Sequence, residues 1–418
     1  MAAAVTLAED GVPVTVFEAA RTLGGRARRV EHRDLALDNG LHILVGAYGE
    51  TLRLMRLVGA DPEQLFLRLP FTWHIHDRLT LRAAGLPAPL HLIAALMTAR
   101  GAPLAERLSA ARFVLRMQRR GYILERDSTV ATLLDTHGQG GPLTRLFWRP
   151  LCISALNTPP EAASAQVFLN VLRDCLDGDR AASDLLLPRV DLTRLFPDPA
   201  AEYVRARGGT VLTGHRVTAI DERESGFSVR CGDREHAFSH VVCALAPYHA
   251  EAFVVGISAL AEAADAVARL SYQPIYSIYL GYPEERGLPA PMLGFDSGLL
   301  QWAFDRGALA GQHGVIGAVI SAEGAHQDLP HEELAGLVHQ ELQLQLGLLP
   351  EPSWFRVIAE KRATFACTPR LKRPESRTPL RHFLLAGDYV ASEYPGTIEA
   401  AVRSGISAAR LILERRDS

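Results

Sequence analysis

Cysteine is scarce in this chain of 418 residues. The five present (Cys152, Cys175, Cys231, Cys243 and Cys367) are scattered, with no C-x-x-C spacing. That argues against a zinc cage and a disulfide framework, and it suits a reducing cytosol. Long apolar runs are absent too, since none approaches the ~20 residues that span a bilayer. Met1-Ala2-Ala3-Ala4 has no basic stretch, so no signal peptide is expected. The 15 histidines show no H-E-x-x-H or comparable ligand spacing, so no metal site is expected. No G-x-S-x-G elbow occurs, which sets aside a serine hydrolase. Neither sign of charge dominates. A net charge of −3 gives no global field for nucleic acid.

What is there is globular: 48% hydrophobic and 22% charged residues, with a length that suggests two or three domains. Near the start, an alanine-rich helix over Ala2 to Glu9 closes at Asp10-Gly11. A buried strand, Val12 to Glu18, then ends in an acid. Near the end, Phe383-Leu384-Leu385-Ala386-Gly387-Asp388 is another buried strand. It runs through Tyr394-Pro395-Gly396-Thr397 into a helix from Ile398 to about Leu413.

One thing is missing between these ends. A strand ending in Glu roughly 20 residues after a G-x-G-x-x-G turn is how a Rossmann unit offers a carboxylate to a ribose. Counting back from Glu18 lands upstream of Met1, so the chain is expected to begin inside its first helix.

Glu18 can accept both hydroxyls of an adenine ribose, or be a solvated charge at a strand end. The loop Arg21-Thr22-Leu23-Gly24-Gly25-Arg26 offers backbone N–H groups and guanidinium forks that suit a pyrophosphate; a plain turn is the alternative. Asp388 could hold a polyol hydroxyl. The N–H groups of Thr397, Ile398 and Glu399 would form the positive end of a helix beneath an anionic group. An ordinary strand-turn-helix is the alternative there.

Between the ends, Ala27 to Val30 and Leu35 to Leu37 suggest a hairpin, and Ala47 to Val58 a helix. Leu104 to Arg120 predicts a helix with Leu104, Leu108, Ala111 and Leu115 on its apolar stripe, followed by one capped at Asp127-Ser128. Helical patterning continues to about Arg194. Strands return at Thr210–Leu212, His215–Ile220, Phe227–Cys231, Val241–Cys243, Tyr272–Tyr282 and Phe355–Lys361, with a helix over Pro330–Leu349. The helix 104–120 carries Arg107, Arg112, Arg116, Arg119 and Arg120 against Glu106. With the apolar run Leu90 to Met97 it could rest on an anionic membrane, or it could be a core helix with a solvated arginine face.

The stretch from Val14 to Ala20 and on through Leu23-Gly24-Gly25-Arg26-Ala27-Arg28 resembles the flavin-containing amine oxidase and phytoene desaturase superfamily. Four further runs narrow this: Asp38-Asn39-Gly40-Leu41-His42-Ile43-Leu44, Pro150 to Pro159, Gln301-Trp302-Ala303-Phe304-Asp305-Arg306 and Glu360 to Phe365. They are similar to the hydroxysqualene dehydroxylases, the squalene-associated FAD-dependent branch, over essentially the whole chain.

The resemblance implies an α/β, amine-oxidase-like fold in which a Rossmann-type FAD-binding domain, lacking its first strand and glycine turn, is interleaved with an α+β substrate domain. Residues 1–78, 200–250 and 352–418 would form the first, and 79–199 and 251–351 the second, membrane-facing one. It implies FAD and the reductive dehydroxylation of hydroxysqualene, a lipophilic C30 isoprenoid alcohol, to squalene in hopanoid synthesis.

The resemblance assigns Glu18 to the adenosine ribose, and Gly24, Gly25 and Arg26 to the pyrophosphate. Val217 is assigned to the strand that meets the adenine, Gly387 and Asp388 to the ribityl chain, and Thr397 and Ile398 to the flavin edge. His42, Asp305 and Tyr394 are candidate proton donors; His42 reads equally as a structural histidine. A cytoplasmic location is expected, with contact at the inner face of the membrane and with other squalene-synthesis enzymes. A carotenoid-type desaturase, or a flavin-free scaffold, is the alternative. Without the glycine turn, weak FAD binding and poor stability are expected.

Overall fold

The computed structural model describes residues 1–254, 257–283, 286–347 and 349–414. The remaining positions of the predicted segments 251–351 and 352–418 lie outside the described residues.

The helix Ala2–Glu9 forms because alanine costs little side-chain entropy, and it stops before Gly11, whose φ of 69° suits a residue without Cβ. It packs against the last helix, Ile398–Leu413. There a Cβ at Gly405 would come within 3.0 Å of the Ala3 nitrogen, so only glycine permits this approach. The strand Thr15–Glu18 pairs in parallel with Thr210–Thr213. Val241–Cys243 pairs in parallel with Phe383–Leu385. Short parallel pairs flanked by helices are the expected form of an α/β unit. The antiparallel strands Val217–Arg223, Gly226–Cys231 and Arg234–Phe238 make a separate meander.

A seven-stranded sheet forms the other half. Its order is Trp354–Phe365, Tyr272–Gly281, Val315–Ser321, Trp302–Asp305, Met292–Gly294, Thr72–Ile75 and Leu79–Arg82. The helix His331–Leu346 packs on it, burying Leu334, Val338 and Leu342 against Ile278, Leu280 and Ile316.

Three expectations are corrected. Helical patterning does not run unbroken to Arg194, because Leu185–Pro188 is a strand between Leu44–Val45 and Phe66–Leu69. All four of its residues are buried, and a short continuous apolar run has the same look in a buried strand or helix. The helix Leu104–Arg119 buries Ala110, Phe113, Val114 and Met117 at i, i+3, i+4 and i+7, whereas Leu104 is 55% exposed. The larger side chains on the neighbouring stripe won the core. The helix Val130–Thr136 is capped by Thr129, whose hydroxyl accepts from the Thr132 amide at 3.2 Å, not by Asp127-Ser128. Asp127 instead accepts from Ser164 Oγ and the Gln166 amide.

Candidate active site

The strand Phe383–Leu385 delivers Gly387 and Asp388 to the start of the last helix, and the Gly387 amide donates to Ser404 Oγ of that helix at 2.8 Å. Gly387 has φ of 149°, and a Cβ there would lie 2.6 Å from the Tyr389 ring. Asp388 is 5% exposed, and its Oδ1 accepts from Arg26 Nη2 at 2.5 Å. Arg26 Nη1 donates to the Ala363 carbonyl, also at 2.5 Å. Burial acts to lower the Arg26 pKa, but the Asp388 carboxylate outweighs it and the pKa is raised.

The glycine loop aims this arginine. Gly24 has φ of 116°, and a Cβ on it would stand 2.3 Å from the Ala27 carbonyl oxygen, so the turn closes only without a side chain. The Ala27 amide donates to the Gly24 carbonyl at 3.0 Å. Asn39, buried in the loop after the hairpin Arg29–His32/Leu35–Asp38, donates to the Arg26 carbonyl at 3.2 Å and to Glu360 Oε2 at 3.4 Å. On the far side a Cβ at Gly396 would meet Asp388 Oδ2 and Thr364 at 3.1 Å each.

Thr397 caps the last helix, its hydroxyl accepting from the Ala400 amide at 3.2 Å. The N–H groups of Ile398 and Glu399 belong to the first turn, which has no intrahelical acceptors. The Glu399 carboxylate reaches instead to the helix Gly49–Leu57, accepting from the amides of Glu50 and Thr51, from Thr51 Oγ1 and from Arg403 Nε. Tyr394 lies 5.0 Å beneath the Arg403 guanidinium. Burial, then the nearby Asp174 carboxylate, push its phenol up to about 12.

At the other end Glu18 Oε1 accepts from the Ala20 amide at 2.7 Å, and the Glu18 carbonyl accepts from the His215 amide. Val217 opens the neighbouring meander strand at a register shift, so Glu18 and Val217 are brought to one edge of the fold.

The three donor candidates part company. His42 Nδ1 faces the Gly40 carbonyl at 2.7 Å, and burial, aided by Arg26, lowers its pKa, so the ring is neutral with Nδ1 as donor. It shares a small cavity with Asp38 and Arg306. Asp305 serves the backbone. Its Oδ1 accepts from the Ala308 amide at 2.9 Å and caps the helix Arg306–Ala310, while its Oδ2 accepts from the Leu288 amide at 2.8 Å.

Sequence reasoning passed over Asn39, Asp38, Glu360 and Arg306 as functional residues, although each lies inside a run that carried the family likeness. Arg362, in the same run as Glu360, stands 3.9 Å over the Tyr248 ring. Tyr389 adds a buried phenol oxygen with no partner among the described residues.

An arginine held over a loop, two glycines that admit no Cβ beside a buried aspartate, a helix N-terminus and an unsatisfied phenol suit a large anionic cofactor with many acceptors. The model of one family, the flavin containing amine oxidoreductases, matches residues 1–413. The chain belongs to that family. As a flavin-containing amine oxidoreductase it uses FAD and is an oxidoreductase, and its groups fit that cofactor.

Among curated relatives, the chain is similar to a hydroxysqualene dehydroxylase of Rhodopseudomonas palustris, 29% identical over 99% of this chain and 96% of the relative. One of Sinorhizobium fredii is 26% identical over 100% and 97%. A probable zeta-carotene desaturase of Synechococcus elongatus is 24% identical over 99% and 96%. Among solved structures, an oxidoreductase from Methanosarcina mazei matches with TM-score 0.75 at 15% identity, covering 98% of this chain and 97% of that one. Cyclohexylamine oxidase from Brevibacterium oxydans matches with TM-score 0.68 at 18% identity, covering 100% and 97%. These two speak for the fold alone, which is the amine-oxidase-like α/β arrangement expected from the sequence.

Proposed function

We propose that this oxidoreductase removes the hydroxyl of hydroxysqualene to give squalene. The observation that carries the reading is the likeness to hydroxysqualene dehydroxylases along nearly the full length of both chains. Bound and reduced, the flavin would supply a hydride to the carbon that loses oxygen. Arg26 with Gly24 and Gly25 would hold its pyrophosphate, and Glu18 and Val217 its adenosine end. Gly387 and Asp388 would hold the ribityl chain, while Thr397 and Ile398 would offer amides to the ring edge. Tyr394 remains a candidate proton donor.

We assign residues 1–78, 200–250 and 352–418 to flavin binding and 79–199 and 251–351 to the substrate. The sheet strands Thr72–Ile75 and Trp354–Phe365 lend the first group's chain to the second's architecture.

The segment from Ala83 to Ala99 carries no charged residue between Arg82 and Arg100, and it exposes Leu86 and Leu90 beside the exposed Leu104. Arg112, Arg116, Arg119 and Arg120 are exposed on the adjoining helix. Exposed leucines with an exposed arginine-bearing helix next in the chain suit the anionic inner face of the cytoplasmic membrane, where a C30 substrate resides. No described helix is long and apolar enough to cross a membrane.

The test is anaerobic incubation of the FAD-loaded, reduced protein with hydroxysqualene. Squalene appearing with flavin oxidation is expected. Desaturation of a carotene by the oxidised protein, with no squalene formed, would replace this reading by the desaturase one, which the likeness to zeta-carotene desaturases favours.

A further inference from the structure

The cavity beside His42 has a mixed lining. Asp38, His42 and Arg306 contribute polar groups to it, and Leu41, Leu187, Phe304 and Leu309 apolar ones. It has room for about one water-sized group. Arg306 is 2% exposed and rises from the end of the central strand Trp302–Asp305, while Asp38 closes the hairpin strand Leu35–Asp38.

Arg306 and Asp38 are each held from behind. Arg306 Nε donates to Gln312 Oε1 at 3.0 Å, and Gln312 Nε2 donates to the Ala36 carbonyl at 2.8 Å. Arg306 Nη1 stands 3.7 Å from Asp38 Oδ2. Asp38 Oδ1 accepts from the Leu192 amide at 2.8 Å, and the Tyr279 hydroxyl bridges the Asp38 amide and carbonyl at 3.1 and 2.9 Å. The second terminal nitrogen, Arg306 Nη2, is buried without a hydrogen-bond partner among the described residues. A buried guanidinium N–H left unpaired costs stability, and a chain that keeps one beside a cavity has a use for it.

We infer that Arg306, braced against Asp38 and flanked by His42, recognises the hydroxyl of the substrate, with the water-sized niche receiving the oxygen as it leaves. This rests on the dehydroxylase reading above. The substrate oxygen accepts a hydrogen bond from Arg306 Nη2 in the niche. The C–O bond breaks with both electrons passing to oxygen. A proton from the Asp38 carboxyl completes a water molecule, and the flavin, when bound and reduced, would supply the hydride for carbon. Alcohol, proton and hydride thus become hydrocarbon and water, and Asp38 is reprotonated from solvent.

The surroundings support a protonated Asp38 near neutrality. Burial raises its carboxyl to about 7 against the opposing pull of Arg306 and the Leu192 amide, with Asp191 adding to the rise. Tyr279 and His42 also face it; His42 is held neutral and its donor hydrogen is spent on Gly40. A site that hydrogen-bonds a substrate hydroxyl discriminates against the analogue lacking it, because its own polar groups are then left unpaired.

The experiment compares wild type, Arg306→Lys and Asp38→Asn as FAD-loaded enzymes, with FAD content read from absorbance. Binding of hydroxysqualene and of squalene to the oxidised form is followed by protein fluorescence, and turnover of the reduced form by squalene production across pH 5.5–8.5. Wild type is expected to prefer the alcohol. Arg306→Lys keeps the buried charge but loses the fork, and its preference should fall by roughly tenfold with squalene affinity unchanged. Asp38→Asn should cut kcat by about 100-fold and abolish the decline of kcat above about pH 7. Should Arg306→Lys lose FAD, the double variant Asp38→Asn/Arg306→Gln, which removes both buried charges, carries the same binding comparison. Turnover by wild type with an unchanged preference in the variants overturns the niche and leaves the dehydroxylase reading standing. No turnover of hydroxysqualene by wild type overturns both.

Discussion

Arg26 and Asp388 stand 362 positions apart in the chain and share an ion pair at 2.5 Å. One comes from the glycine loop at the start, the other from the strand end before the last helix, and their meeting joins the two ends of the sequence. The Arg26 side chain is 25% exposed and that of Asp388 7%, so the pair is shielded but reachable.

Asp388→Ala should weaken FAD binding by roughly 10- to 100-fold. A charge-assisted hydrogen bond is worth about 1.5–3 kcal/mol, and the substitution also releases Arg26. Flavin fluorescence titration of the apoprotein measures this; affinity equal to wild type would remove Asp388 from the site.

Glu399 is expected to act through structure. Its carboxylate supplies the N-terminal cap that the helix Gly49–Leu57 lacks from its own Tyr48, and it is 1% exposed. Glu399→Gln keeps the shape but turns an acceptor oxygen into a donor against amide donors. The expected loss is about 2–3 kcal/mol, seen as a lower denaturant midpoint with an unchanged slope.

Asp305→Ala removes a cap and should cost about 1–2 kcal/mol of stability. The loss should be the same with and without FAD, since both its oxygens serve the backbone. A larger loss in the presence of FAD would return Asp305 to the candidate site.

The Asp38 carboxyl makes stability depend on pH in a definite direction. Its folded pKa is raised to about 7 from 3.8, so between those values the folded state binds more protons than the unfolded one. Its contribution is fully present below about pH 4, is lost as pH rises, and levels off above about 7. The loss is on the order of 4 kcal/mol across that window. Melting temperatures of Asp38→Asn relative to wild type should therefore rise from pH 5 to pH 7.5; a flat difference would mean that Asp38 stays ionised.

Leu86→Asp with Leu90→Asp should abolish flotation with anionic liposomes while flotation with neutral liposomes stays low for both proteins. Retained flotation would place membrane contact elsewhere.

Much of this was legible in one dimension. Gly24-Gly25-Arg26 and Gly387-Asp388 announce themselves because a turn without Cβ, a guanidinium and a strand end are local features whose chemistry needs few neighbours. The helices Ala2–Glu9 and Ile398–Leu413 fall where the sequence puts them, since their caps lie in the chain itself. Asp305 and Arg306 show what local reading leaves open. Both are buried and adjacent, and a sequence favours the carboxylate as acid.

The amino-acid sequence by itself determined the family and the cofactor, because those reside in short motifs of fixed spacing. Only the tertiary structure decided which neighbour does what. The helix start at Arg306 spends Asp305 on two backbone amides, and the hairpin brings Asp38 to Arg306 across 268 positions (306 − 38). Burial at that meeting, which no local pattern encodes, raises the proton affinity of Asp38.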